Sequence, residues 1–189
     1  MSKKYRMIHD ENLCIGCQAC SVACRSENHV PDNVFRLQVR VETKGTFPNL
    51  KMDFERHSCV MCDDAPCVKV CPTGASFQTD DGLVHIDSSL CVSCKYCVVA
   101  CPYDARFVNP ITKAVDKCTF CFDNRVSKGE KPACVTVCPT NALVFGDMND
   151  SESEVYKKAN ENYLFFPKAH LGTHPKLAFV PNKKGVNYE

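Results

Sequence analysis

No stretch of this chain approaches the roughly 18 consecutive apolar residues of a membrane-crossing helix, so no transmembrane segment is expected. Neither charge sign dominates: Lys plus Arg number 23 and Asp plus Glu 22, a formal +1. No basic stripe is present to attract nucleic acid, and no Gly-rich loop to cradle a phosphate. The opening MSKKYRMIHDENLC has Lys3 and Lys4 but no apolar segment and no small-residue cleavage site, so no export signal of its own is expected. Nothing suggests a nucleophile, a general base or a pocket for a small-molecule substrate. The chain is therefore not expected to be an enzyme in itself.

What is abundant is cysteine, at 16 of 189 residues. In a short secreted chain that level would indicate a disulfide scaffold. In a chain made without a leader, in a reducing compartment, clustered cysteines more often hold metal. The cysteines form four runs. Run I is Cys14, Cys17, Cys20 and Cys24. Run II is Cys59, Cys62, Cys67 and Cys71, followed by Pro72. Run III, CVSCKYCVVACP, is Cys91, Cys94, Cys97 and Cys101, followed by Pro102. Run IV is Cys118, Cys121, Cys134 and Cys138, followed by Pro139. None is left over.

The spacing C-x2-C-x2-C-x3-C-P has a physical cause. A [4Fe–4S] cubane presents four irons, each wanting one thiolate. Three closely spaced cysteines wrap a loop around three corners. The fourth lies on a helical turn that carries it toward a neighbouring cluster, the bacterial two-cluster ferredoxin arrangement. The proline after it favours a turn away from the helix. Structural zinc, the main alternative, normally uses two C-x2-C pairs separated by a longer loop, which this pattern fits poorly. Four runs thus imply four [4Fe–4S] clusters in two cross-ligated pairs. Cys14, Cys17 and Cys20 would share one with Cys138, and Cys118, Cys121 and Cys134 another with Cys24. Cys59, Cys62 and Cys67 would go with Cys101, and Cys91, Cys94 and Cys97 with Cys71.

The implied fold class is α+β, two interleaved bacterial-ferredoxin-like modules of short strands, hairpins and cluster-wrapping loops. Residues 57–104 hold runs II and III; residues 1–56 and 105–148 hold runs I and IV as a discontinuous module. Between runs II and III, ASFQ, DDG and LVHID read as a hairpin. YRMIHD before run I and ALVFG after run IV are strand-like and could pair in one small sheet. VFRLQVRVET, residues 34–43, alternates like a strand. Run I lacks the proline, so its helix can continue past Cys24. Runs II and IV widen their second gap; the run IV insert FDNRVSKGEKPA is polar and reads as a surface loop that either contacts another module or protein or is simply solvated. Residues 149–189 are expected as a C-terminal extended arm.

Four complete runs, the wide gap in run IV, CPTGAS after run II, DKCTFC opening run IV and ACVTVCPTNAL closing it resemble the four-cluster iron–sulfur subunits of molybdopterin oxidoreductases of the dimethyl sulfoxide reductase type. The resemblance covers roughly residues 5–148. MIHDENLCIGCQACSVAC and the short length look most like the thiosulfate and polysulfide reductase branch; tetrathionate, dimethyl sulfoxide, nitrate, nitrite and formate enzymes use similar subunits. In some relatives a run III cysteine is replaced, leaving a [3Fe–4S] centre. Cys94 and the other cysteines are present here, so four four-iron clusters are implied.

The resemblance implies an electron wire between a molybdopterin-containing catalytic subunit, facing the run I/IV module, and an integral-membrane quinol-oxidising anchor subunit, facing the run II/III module. It also implies export on a partner's twin-arginine signal to the periplasmic face of the inner membrane; the alternative is cytoplasmic. A soluble polyferredoxin and a nickel–iron hydrogenase subunit are the other readings. Each oxidised cubane with its thiolates carries about −2, so four would turn the formal +1 into about −7. Arg25, Lys69, Lys95, Arg106 and Lys117, beside ligands in sequence, either offset this charge or extend to solvent. Core packing is the expected job of Tyr96 and Tyr103. His9, His57 and His85 are not expected as ligands.

Overall fold

The computed structural model describes residues 3–182; residues 183–189 of the expected arm lie outside the described residues. The flanks of the first and last cysteine runs meet in one sheet. Strand β1 (Tyr5–Asp10) pairs antiparallel with a strand over Leu143–Asp147 and parallel with one over Leu177–Val180. In chain order these partners are β8 and β9, and β1 is central. Alternation decides which face each side chain serves. Met7 packs into the large core among the cysteine loops, whereas Ile8 points the other way, against a C-terminal helix.

That helix, Glu154–Glu161, is the last of five α-helical segments, α5. Ser153 caps it, its Oγ accepting from Tyr156 N–H at 3.3 Å, and Glu154 in the first turn suits the helix dipole. Val155 is fully buried with Ile8, Ala178 and Val180. Residues 149–182 are thus not a uniformly extended arm. LAFV is buried at all four positions, so it shows no alternation, as expected of a strand covered on both faces.

Two ten-residue strands, β2 (Leu37–Thr46) and β3 (Asn49–Ser58), form a hairpin in register from Leu37↔Ser58 to Thr46↔Asn49. Its root is buried at Leu37, Val39, Arg56 and Ser58. Its tip exposes Phe47, Leu50 and Met52. Two short hairpins follow: β4 (Ser76–Gln78) with β5 (Val84–Ile86), and β6 (Phe107–Val108) with β7 (Val115–Asp116).

The remaining helices carry the cysteines. α1 (Ala19–Glu27) contains Cys20 and Cys24 and continues beyond Cys24, where no proline stops it. α2 (Pro66–Lys69), α3 (Tyr96–Val99) and α4 (Ala133–Thr136) are single turns holding Cys67, Cys97 and Cys134. Each stops short of the fourth cysteine, since the residue before a proline disfavours helix. The ends repeat bond for bond: Cys71, Cys101 and Cys138 donate their N–H to Val68, Val98 and Val135 carbonyls at 3.2–3.3 Å. A left-handed residue then turns the chain in each: Gly74, Asp104 and Asn141. Entry differs by gap length. In runs I and III, left-handed Gln18 and Lys95 precede the helix; in the widened runs II and IV a proline sets the entry instead, Pro66 as the first residue of α2 and Pro132 just before α4. Among the described residues no helix is long and apolar enough to cross a membrane.

Candidate metal centres

Cys14, Cys17, Cys20 and Cys138 line one small cavity, with His9, Arg56 and Leu143. The loop between the first two must be tight. Gly16 is left-handed (φ +67°), and a Cβ there would lie 2.4 Å from the Phe54 ring, so any larger residue would be strained and would have to displace that ring. Gln18 fastens the loop to β2, donating to Val39 O at 2.7 Å and accepting from Val39 N–H at 3.2 Å.

Cys59, Cys62, Cys67 and Cys101 line a second cavity with Tyr103 and Arg106. The run IV thiols Cys118, Cys121 and Cys134 are buried, as is Cys24 of run I. Cys24 and Cys121 share one donor: Asn28 Nδ2 stands 3.8 Å from Cys24 Sγ and 3.7 Å from Cys121 Sγ. Phe120 N–H points at Cys118 Sγ at 3.4 Å. In the last group Cys97 is buried, Cys94 is exposed, and Cys71 and Cys91 are half-buried. Cys71 Sγ accepts from Ser76 N–H at 3.3 Å, and Cys91 Sγ from Val115 N–H at 3.4 Å.

These thiols are held where a bare thiolate is unwelcome. Burial, reinforced by neighbouring cysteines, pushes Cys24 up strongly and Cys62 up to about 12. Burial also pushes Cys20 up to about 11 against the pull of Arg56, and Cys118 to about 11 likewise. Cys71 goes the other way, because slight desolvation is outweighed by hydrogen bonds from Ser76, Thr73 and Ala75. These thiols would bind a cationic iron–sulfur core as thiolates, giving up their protons and gaining the missing counter-charge.

Three buried cations stand among the sulfurs. Arg56, on β3, donates from Nη1 to Cys134 Sγ at 3.6 Å and from Nε to Ser58 Oγ at 3.1 Å. Burial opposes its charge, but Cys134 and Cys118 hold its pKa above the ordinary value. Arg106 donates from Nη2 to Cys67 Sγ at 2.8 Å and to Ser76 Oγ at 2.9 Å. Lys117 is 1% exposed and donates to Cys118 O at 2.8 Å and to Val84 O. Burial lowers its pKa, and Cys59 pulls it back up.

Of the basic residues beside ligands in sequence, only Arg106 and Lys117 are inward. Lys69 pairs with Asp64 at the surface, Lys95 is exposed, and half-buried Arg25 pairs with Asp32. Arg56 was not among the sequence candidates. Its signal is parity, since it shares the buried side of β3 with Ser58. Tyr103 is buried, its hydroxyl 2.5 Å from Thr173 Oγ1. Tyr96 is not in the core but 63% exposed, because it opens the one-turn α3 beside exposed Cys94. His9 is buried edge-on to Phe179, burial lowering its pKa to about 3. His85 is buried edge-on to Phe122, and His57 contacts Tyr103 O at 2.9 Å. The run IV insert is partly anchored: Arg125 pairs with Glu27 of α1 at 3.2 Å, and Asn124 Nδ2 donates to Glu27 O at 3.2 Å.

The residues present fit iron–sulfur clusters. Arg56 lines the cavity of Cys14, Cys17, Cys20 and Cys138, and its Nη2 is buried without an acceptor among the described residues. Among the described residues no three His, Cys, Asp or Glu side chains are placed to hold a single metal ion; the cysteines line cavities instead.

Comparison with known proteins agrees. A family profile described as a 4Fe-4S dicluster domain matches residues 50–148, and a second of the same description matches residues 13–75. The protein is similar to the polysulfide reductase B subunit of Wolinella succinogenes, 58% identical across 98% of each sequence. It is 50% identical to protein NrfC of Escherichia coli (strain K12), over 96% of this sequence and 82% of that one. It is 47% identical to the thiosulfate reductase electron transfer subunit PhsB of Salmonella typhi, over 86% of each.

Proposed function

The chain belongs to the 4Fe-4S dicluster family, as a non-catalytic electron-transfer subunit of a respiratory reductase carrying four [4Fe–4S] clusters, and from that premise we propose which cysteines hold each cluster and what stands at either end of the path. Cys14, Cys17, Cys20 and Cys138 hold the first. Cys118, Cys121, Cys134 and Cys24 hold the second. Cys59, Cys62, Cys67 and Cys101 hold the third, and Cys91, Cys94, Cys97 and Cys71 the fourth. The observation that carries this is the joining of three cysteines of one run with the fourth of another around a single cavity, twice over. Runs I and IV then form one module, residues 1–56 with 105–148, and runs II and III the other, residues 57–104.

The clusters, when bound, supply one-electron carriers. The chain's own residues hold them, exclude water, and donate hydrogen bonds to the ligand sulfurs from Phe120, Ser76 and Val115 N–H and from Asn28. The run I end serves a molybdopterin-containing catalytic subunit, and the run III end a membrane-embedded quinol-oxidising subunit. Exposed apolar side chains beside the two exposed ligands support docking there: Ile15 and Val22 near Cys17, and Val92, Tyr96 and Val99 near Cys94. The similarity to polysulfide and thiosulfate reductase subunits supports a sulfur-compound reductase as the complex. The working place is the periplasmic face of the inner membrane, reached on the catalytic partner's twin-arginine signal.

The test is Cys24→Ala in the purified complex, read by iron content and paramagnetic signals. The run IV centre is expected to be damaged while the run I centre persists. Loss of the run I centre alone would mean that each run closes on itself. Fractionation of cells with and without the catalytic partner checks the location; retention in the cytoplasm when the partner is present would refute it.

A further inference from the structure

Resting on those ligand sets, we infer that Arg56, Arg106 and Lys117 are the intercluster residues of the electron path, one buried cation in each gap of a series ordered run I, run IV, run II, run III, each raising the potentials of the two centres it separates.

Each cation is linked, directly or through one neighbour, to two of the proposed clusters. Arg56 lines the cavity of Cys14, Cys17, Cys20 and Cys138, yet its Nη1 reaches Cys134 Sγ of run IV at 3.6 Å. Lys117 Nζ donates to Cys118 O of run IV at 2.8 Å and lies 3.7 Å from the sulfur of Met61, inside the run II loop between Cys59 and Cys62. Arg106 lines the cavity of Cys59, Cys62, Cys67 and Cys101 and donates to Cys67 Sγ at 2.8 Å. It also donates to Ser76 Oγ at 2.9 Å, and Ser76 N–H donates to Cys71, the ligand proposed for the run III centre. Linking the runs through these contacts admits one linear order.

Burial makes a packing role a poor account of them. Their exposures are 2%, 1% and 5% for Arg56, Lys117 and Arg106. Their hydrogen bonds run to sulfur, hydroxyl and carbonyl oxygen rather than to carboxylate. A buried cation without a counterion is costly, and apolar residues of similar volume would fill the same space without that cost. The counter-charge available is thiolate and cluster. A positive charge between two anionic centres favours the added electron on both, most strongly on the nearest because the interaction falls with distance. Arg25, Lys69 and Lys95 are the internal contrast: adjacent to ligands in sequence, they are half-buried or exposed, where water screens them.

The experiment is Lys117→Met in the intact complex, with each cluster's midpoint potential followed by paramagnetic resonance during redox titration. The run IV and run II centres are expected to fall by a factor of ten or more in their reduction equilibrium, about 59 mV for a one-electron couple, while the run I and run III centres stay put. Four loaded clusters with no potential moved, one moved alone, or all moved equally would overturn the inference. Arg106→Gln is expected to lower the run II and run III centres, and Arg106→Lys to restore them. If Lys117→Met fails to load its clusters, that charge-removing and charge-keeping pair decides; loss of clusters in Arg106→Lys would assign the residue to packing and overturn the proposal. An error in the ligand sets is distinguishable, since it appears in the Cys24→Ala centres and leaves the potential pattern of Lys117→Met still pairwise.

Discussion

Two cores lie on opposite sides of β1. On one side Ile8, Val155, Ala178 and Val180 form a small apolar cluster under α5, with no cysteine in it. On the other, a larger core mixes Met7, Leu37, Phe120 and Leu177 with buried Cys24, Cys62, Cys67, Cys97, Cys118 and Cys134. The first is held by ordinary burial of apolar surface. The second places thiols where another protein would place leucine, around spaces the chain itself does not fill. Its stability is therefore expected to depend on iron, whereas the corner under α5 contains no cysteine among the described residues.

Removal of iron should break this comparison most sharply. Chelation under oxidising conditions is expected to abolish cooperative unfolding and collapse the far-UV signal. A retained cooperative thermal transition in the apo-protein would show that the large core stands without its clusters. Next in size is a contrast between two ligands. Cys121→Ala, at a thiol 5% exposed, should lose its cluster and destabilise the subunit, whereas Cys94→Ala, at an exposed thiol, should leave a three-iron centre in a folded chain. Iron content and paramagnetic resonance distinguish these outcomes, and equal damage from both would erase the distinction between buried and exposed ligands.

The apolar corner predicts smaller changes. Val155→Ala removes two buried methyl groups and should cost about 2 kcal/mol in denaturant unfolding of the holo-subunit, with cluster content unchanged. Cluster loss in that variant would mean the two cores unfold as one. Ser153→Ala removes the α5 cap and should cost about 1 kcal/mol, read in the same way.

The cysteine pattern was legible because it is local. Cluster chemistry dictates the spacing, so four runs announce themselves whatever surrounds them. The β4–β5 hairpin and the β1–β8 pair were also readable, from alternation and turn residues. The partner strand β3 was not, because NLKMDFERHS is largely polar and most of it lies on an exposed hairpin tip. Within the expected arm, LAFV does lie extended, along β1, whereas α5 was not legible in SESEVYKKANE, a short and mostly polar stretch that buries only Val155. Of five basic residues beside ligands, sequence could not say that Arg106 and Lys117 turn inward while Lys69 and Lys95 do not.

By itself, then, the sequence determined the number of metal-binding runs, the chemistry they hold and the family. Those follow from residue type at short spacing, which contacts with the rest of the chain do not alter. Tertiary structure alone decided which thiols are sealed and which are exposed, and which cations are buried among the sulfurs. Arg56 reaches Cys134 across 78 positions and Arg106 reaches Cys67 across 39. Contacts of that range exist only once strands have paired and loops have closed, because nothing in a local spacing rule specifies them.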